Sequence, residues 1–178
     1  MVSREYVGDF EVREEYNPRT GKTKTVTEYV GPWYRFTHAE DMKRVKRLYI
    51  LLSLCILASV SCMLGINAIC GHIWYSMAPI VFMFIPAMYL VGAMIRLITA
   101  KDKVIREHRD KVVERYRKVS LWFVVLGALA LSGHIAFSII WGDELKDLLF
   151  YLFTAAVIAC GLLLYLKRDL ISMTEVEE

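Results

Sequence analysis

Acidic residues are missing from four stretches of this chain: Leu48–Ile69, Ile73–Ile98, Val119–Trp141 and Leu148–Leu166. The only basic residue inside them is Arg96, near the end of the second. Four helices on the surface of a soluble domain would carry charge at every turn to make a wet face, so that architecture is excluded. A proton-coupled pump is also disfavoured, because such proteins usually hold a carboxylate within the membrane. Cysteine is sparse: Cys55, Cys62, Cys70 and Cys160 form no CxxC array, which removes zinc-ribbon and thioredoxin-type chemistry. They read as small apolar residues, and Cys62 and Cys70 lie too far apart on one helix to be bridged. No phosphate-binding loop, nucleophile elbow, HExxH helix or dinucleotide fingerprint occurs. No catalytic, cofactor-binding or metal-ligating residue is therefore assigned, and the chain reads as non-enzymatic.

Apolar residues are abundant instead, at 56% of the chain with a mean hydropathy of +0.40. Each of the four stretches approaches the ~20 residues needed to cross ~30 Å of hydrocarbon. The expected fold class is an all-α integral membrane protein with four transmembrane helices arranged as two antiparallel hairpins. The segment before Leu48 is polar, which is not the pattern of a signal peptide.

Charge sets the expected orientation. Of 22 lysines and arginines, only Lys146 falls between spans one and two or between spans three and four. The positive-inside rule then places both termini in the cytoplasm, in the cell membrane. Trp74, Tyr75 and Trp141 mark the outer interface in this reading, and Tyr49, Trp122 and Tyr165 the inner one. The outer connections, Cys70-Gly71-His72 and Gly142-Asp143, are tight, with Gly71 and Asp143 suited to helix ends. Thr37-His38-Ala39-Glu40 has capping-box spacing and predicts a helix start there.

Residues 100–118 are charged and periodic. Ile105, Val112, Tyr116 and Val119 share a face, and Lys103/Glu107, Arg106/Asp110, Glu107/Lys111 and Glu114/Lys118 are spaced for pairing. The expectation is a basic amphipathic helix on the cytoplasmic side, for which anionic lipid is a candidate partner beyond the bilayer itself. Nucleic acid is not an expected partner, since topology accounts for the basic residues.

Residues 1–36 differ from the rest. Glu5–Tyr16, rich in tyrosine, valine and phenylalanine, and Thr23–Val30, which alternates threonine with charged or apolar residues, flank Asn17-Pro18-Arg19-Thr20-Gly21, which is turn chemistry, so a small cytoplasmic β-hairpin is expected. Glu-Tyr-Val-Gly occurs twice, at Glu5–Gly8 and Glu28–Gly31. An isolated hairpin is marginal in water. Its aromatic residues Tyr6, Phe10, Tyr29, Trp33 and Tyr34 are the expected contacts for a protein partner. Residues 37–178 form the expected four-helix domain.

The functional expectation is a membrane subunit or adaptor that binds a protein, or a further copy of itself, through its cytoplasmic face. A small oligomeric transporter or channel is the alternative. Pro79 and Pro86 share one face of span two, where they kink the helix or free carbonyls to line a cavity. A haem-bearing protein is a third reading, resting on His72 and His134, but the two lie at different depths. His134 is expected to be structural, bonded to Asn67 or a serine. Small residues at four-residue spacing, Ala128/Ser132/Ala136, Ala155/Ala159 and Ala156/Cys160, are the expected helix seams, with Ser61, Gly65 and Ala68 along span one.

Overall fold

A computed structural model describes residues 4–17, 22–37, 41–65, 74–101, 103–141 and 147–176. A short 3-10 helix, Arg4–Asp9, leads into an antiparallel hairpin of β1 (Phe10–Asn17) and β2 (Lys22–Tyr29). Strand β3 (Trp33–Phe36) precedes helix α1 (Met42–Gly65). Then come α2 (Trp74–Phe82), α3 (Phe84–Thr99), β4 (Lys103–Ile105), α4 (Arg106–Trp141), α5 (Asp147–Leu166) and β5 (Met173–Val176). The chain is mostly helical, and four of its helical stretches are long and apolar enough to cross a membrane: α1, α2 with α3, α4 and α5.

Helix α1 packs on α5 and α3, while α4 packs on α5 and on both halves of the α2–α3 stretch. The interior row of α1 runs Val45, Tyr49, Ser53, Ile56, Val60, Met63, the spacing that keeps one stripe inward. Tyr49 meets Tyr116 of α4 edge-on at 5.2 Å between ring centres. Only about a third of each apolar helical stretch is buried (29% for α4 and 33% for the others), and the remainder is half-buried or exposed.

Helices α4 and α5 come close together at glycines. A Cβ on Gly127 would sit 2.7 Å from Ile158, and one on Gly161 would sit 3.1 Å from Val124. The expected small-residue rows lie elsewhere: Ala128, Ser132, Ala136, Ala155, Ala159, Ser61 and Gly65 are all exposed. Cys160 is buried, whereas Ala68 falls outside the described residues. Spacing finds a row of small residues but does not say which way the row points.

The second apolar stretch is broken at Met83. Pro86 has no N–H to give to the carbonyl of Phe82, so the helical ladder is interrupted there. The Met83 N–H is shared between the carbonyls of Pro79 and Ile80, both at 3.1 Å, and α3 restarts at Phe84.

Three segments that flank the apolar helices, one before α1, one between α3 and α4 and one after α5, meet in a second antiparallel sheet, of order β4-β3-β5. Trp33 pairs with both Ile105 and Val176, and Phe36 pairs with Met173. The start of α1, the end of α3, the start of α4 and the end of α5 are thereby held at one end of the bundle. This corrects the expected helix over residues 100–118. Ala100 adopts an extended conformation (φ −61°, ψ 125°), residues 103–105 are strand, and helix begins only at Arg106. Pairing with β3 buries Val104 and overrides a helix-compatible local sequence. The expected cap at Thr37 is also corrected. Its hydroxyl donates to the Ser172 carbonyl at 3.1 Å, and the first turn of α1 begins from the Asp41 carbonyl. The rest of that box, residues 38–40, lies outside the described residues.

Helix C-termini leave carbonyls without intrahelical donors. Here other helices supply them. Lys46 of α1 donates to Ala100 beyond α3 at 2.7 Å, and its charge also suits a helix C-terminus. The Tyr49 hydroxyl donates to Lys167 beyond α5 at 2.6 Å. His108 Nε2 lies 3.0 Å from the Arg96 carbonyl. The sheet and these bonds fix the same end of the bundle twice over.

Candidate functional site

Two features at the sheet end could engage something outside the chain: the β1–β2 ribbon and a cleft beside α4.

The ribbon alternates in register. Phe10 faces Tyr29, Val12 faces Thr27 and Tyr16 faces Thr23, so these share one side. Glu11, Arg13 and Glu28 lie on the other, where Arg13 bridges Glu28 at 3.1 Å and Glu11 at 3.5 Å. At the base, Phe10, Tyr29 and Trp33 stack edge-to-face, each successive pair 5.2 Å apart. The Tyr29 hydroxyl donates to the Pro32 carbonyl at 2.8 Å and accepts the Arg106 N–H at 3.1 Å. Burial raises the Tyr29 phenol above its ordinary range, with the Arg106 N–H pulling the other way. Beyond this base the ribbon is uncovered: Val12 is 67% exposed and Tyr16 63%. Among the described residues no third strand pairs with β1 or β2.

The five aromatic residues singled out from the sequence are divided by the structure. Tyr6 and Tyr34 are buried. The Tyr6 hydroxyl donates to Asp110 at 3.2 Å, and the Arg109 guanidinium lies 4.1 Å over the Tyr34 ring. Both tie the N-terminal segment onto α4. Phe10, Tyr29 and Trp33 are partly exposed and frame the base of the ribbon. Val12 and Tyr16 carry the exposed surface, and the alternation of the β1 sequence was the signal that could have marked them.

The cleft has a volume of about 830 Å³ and runs between the α2–α3 stretch and α4. Phe82, Ile85, Pro86 and Tyr89 form one wall. One face of α4 forms the other, from Asp110, Lys111, Glu114, Arg115 and Lys118 to Val119, Trp122 and Leu126. Its lining is therefore charged toward the sheet end and apolar beyond, with Tyr6 over the charged part. The Met83 break falls beside it, and Pro86, one of the two prolines noted in the sequence, lines it. Of the pairings expected on α4, Glu107–Lys111 and Glu114–Lys118 form, the latter at 2.8 Å. Asp110 is held by its neighbour Arg109 at 2.7 Å and by Tyr6.

His134 is fully buried, its ring 4.5 Å from the centres of both Phe150 and Tyr151. Asn67 and His72 lie outside the described residues. Among the described residues, no three histidine, cysteine, aspartate or glutamate side chains cluster as a metal site would require. No protein family, curated protein or solved structure matches this chain.

Proposed function

We propose that the chain is a non-enzymatic, multi-pass subunit of the cell membrane that docks a protein partner on the β1–β2 ribbon. The exposed apolar side chains carried by every one of the four helical stretches support bilayer insertion, because apolar surface on that scale is not tolerated in water. The basic residues gathered toward the sheet end support a cytoplasmic location for that end, and with it for both termini.

The observation that carries the docking role is the ribbon itself. It is anchored at its base by three stacked aromatic rings, yet among the described residues no strand pairs with either outer edge, and Val12 and Tyr16 are exposed. Open strand edges present unpaired N–H and C=O groups, which an extended partner segment can satisfy by strand addition. Phe10, Tyr29 and Trp33 complete the surface at its foot, while Tyr6 and Tyr34 brace it against α4.

The test is affinity purification of the full chain in mild detergent beside the variant carrying Val12→Lys and Tyr16→Lys. The wild type should bring down one stoichiometric protein, and the variant should lose it while keeping its elution volume and thermal transition. A partner retained at full stoichiometry by the variant would refute docking on the ribbon. Recovery of the wild type as a homo-oligomer, dissociated by the variant, would make the partner a second copy of this chain.

A further inference from the structure

We propose that the cleft between the α2–α3 stretch and α4 holds one anionic phospholipid. Its phosphodiester would sit at Arg115, and one acyl chain would lie along Tyr89, Trp122 and Leu126. The inference rests on the membrane reading given above and adds a specific ligand to it.

The chemistry of the lining selects the occupant. From Asp110 to Leu126 the α4 wall is about 24 Å long at the helical rise. Its apolar part, from Val119 to Leu126, covers about 10 Å, within one ~15 Å leaflet of hydrocarbon. Trp122 and Tyr89 stand where the lining changes from charged to apolar, the position such rings take at a membrane boundary. The occupant must therefore be amphipathic, with its polar group toward the sheet.

The ion pairs decide the sign of that group. Asp110 is neutralised by Arg109 at 2.7 Å, Glu114 by Lys118 at 2.8 Å and Lys111 by Glu107. Arg115 is different. Its guanidinium lies 5.8 Å from the Tyr89 ring centre, and it joins no ion pair among the described residues. A headgroup with one uncompensated negative charge completes this set, and a planar guanidinium suits a phosphodiester. A zwitterionic headgroup would bring an ammonium whose nearest carboxylates, Asp110 and Glu114, are already engaged.

Full-length chain purified in mild detergent would be equilibrated with equal amounts of phosphatidylglycerol and phosphatidylcholine, and retained lipids counted by native mass spectrometry. One phosphatidylglycerol should be held in preference by about fivefold, the scale of one basic residue near an anionic surface. Arg115→Gln should abolish the preference, and Arg117→Gln, an exposed charge on the same helix outside the cleft, should leave it intact. Ile85→Trp, a substitution at an outward-facing position in the wall, should remove the tightly held lipid while leaving the thermal transition in place; it decides the matter if Arg115→Gln fails to fold. Equal retention of the two lipids, or a preference that survives both Arg115→Gln and Ile85→Trp, would overturn the site while leaving the membrane reading intact. A chain that stays dispersed without detergent and retains neither lipid would overturn both.

Discussion

The two sheets of this molecule are neighbours in sequence, β3 following β2 directly, and are built on opposite principles. The β1–β2 ribbon is local. Its strands are adjacent in sequence and its exposed face carries Val12 and Tyr16. The β4-β3-β5 sheet is assembled from segments that lie some 70 residues apart or more, and it buries Tyr34, Phe36 and Val104. Local pairing costs little loop entropy and gains little burial; distant pairing costs more and must be offset by a core. The N-terminal region therefore contains a presented element, which ends at Tyr29, and a structural one, which begins at Trp33.

Three substitutions or deletions separate the two. Phe36→Ala should have the largest effect, because it empties a buried site next to Lys46 in the β3 core. A loss of about 3–5 kcal/mol is expected, read as a lowered thermal transition in detergent. Stability equal to wild type would mean that the β4-β3-β5 sheet is ornamental. Excision of residues 10–29 should cost much less, under about 1 kcal/mol, the scale of a surface change. The geometry permits it, since the Asp9 carbonyl accepts the N–H of Val30 at 2.9 Å and of Gly31 at 3.2 Å, which brings the two ends together. A collapse of the bundle on excision would erase the contrast between the sheets. The smallest effect concerns Tyr29. Its phenol is held above its ordinary value of 10.0 in the fold, so the neutral form is favoured there. The stability this contributes is complete below pH 10 and is lost as pH rises through the raised value. Amide exchange in β1 and β2 should accelerate in that alkaline window, after correction for intrinsic rates, and Tyr29→Phe should remove the inflection. Unchanged protection across the window would detach the ribbon from its Tyr29 anchor.

The apolar helices were legible because a run of some 20 uncharged residues has few other readings. The hairpin was legible because alternation and an Asn-Pro-Arg-Thr-Gly turn are local signals. Strands β4 and β5 were not. Three and four residues long, they carry no period of their own, and Lys103–Ile105 fits a helix as well as a strand until Trp33 and Tyr34 lie beside it. The helix break at Met83 was half legible, since Pro86 announces a lost hydrogen bond but not where the ladder divides. For the candidate site, the sequence exposed the aromatic load of residues 6–34 without its direction. Tyr6 and Tyr34 face inward because Asp110 and Arg109, more than 70 residues away, receive them. The cleft was invisible for the same reason: the charge row on α4 can be read, but its opposite wall comes from another helix.

The sheet that joins β3, β4 and β5 also orders events during synthesis. Strand β3 leaves the ribosome before α1, β4 after α3, and β5 only after α5. Until then β3 can hold at most one neighbour, and Tyr34 and Phe36 wait without the hydrogen-bonded cover that Glu175 and Met173 bring. Closure of this sheet is thus the last of these pairings to become possible. It cannot occur before all four apolar helices have been made, and a nascent chain stalled short of Met173 would show one unpaired, aromatic strand edge to whatever surveys it.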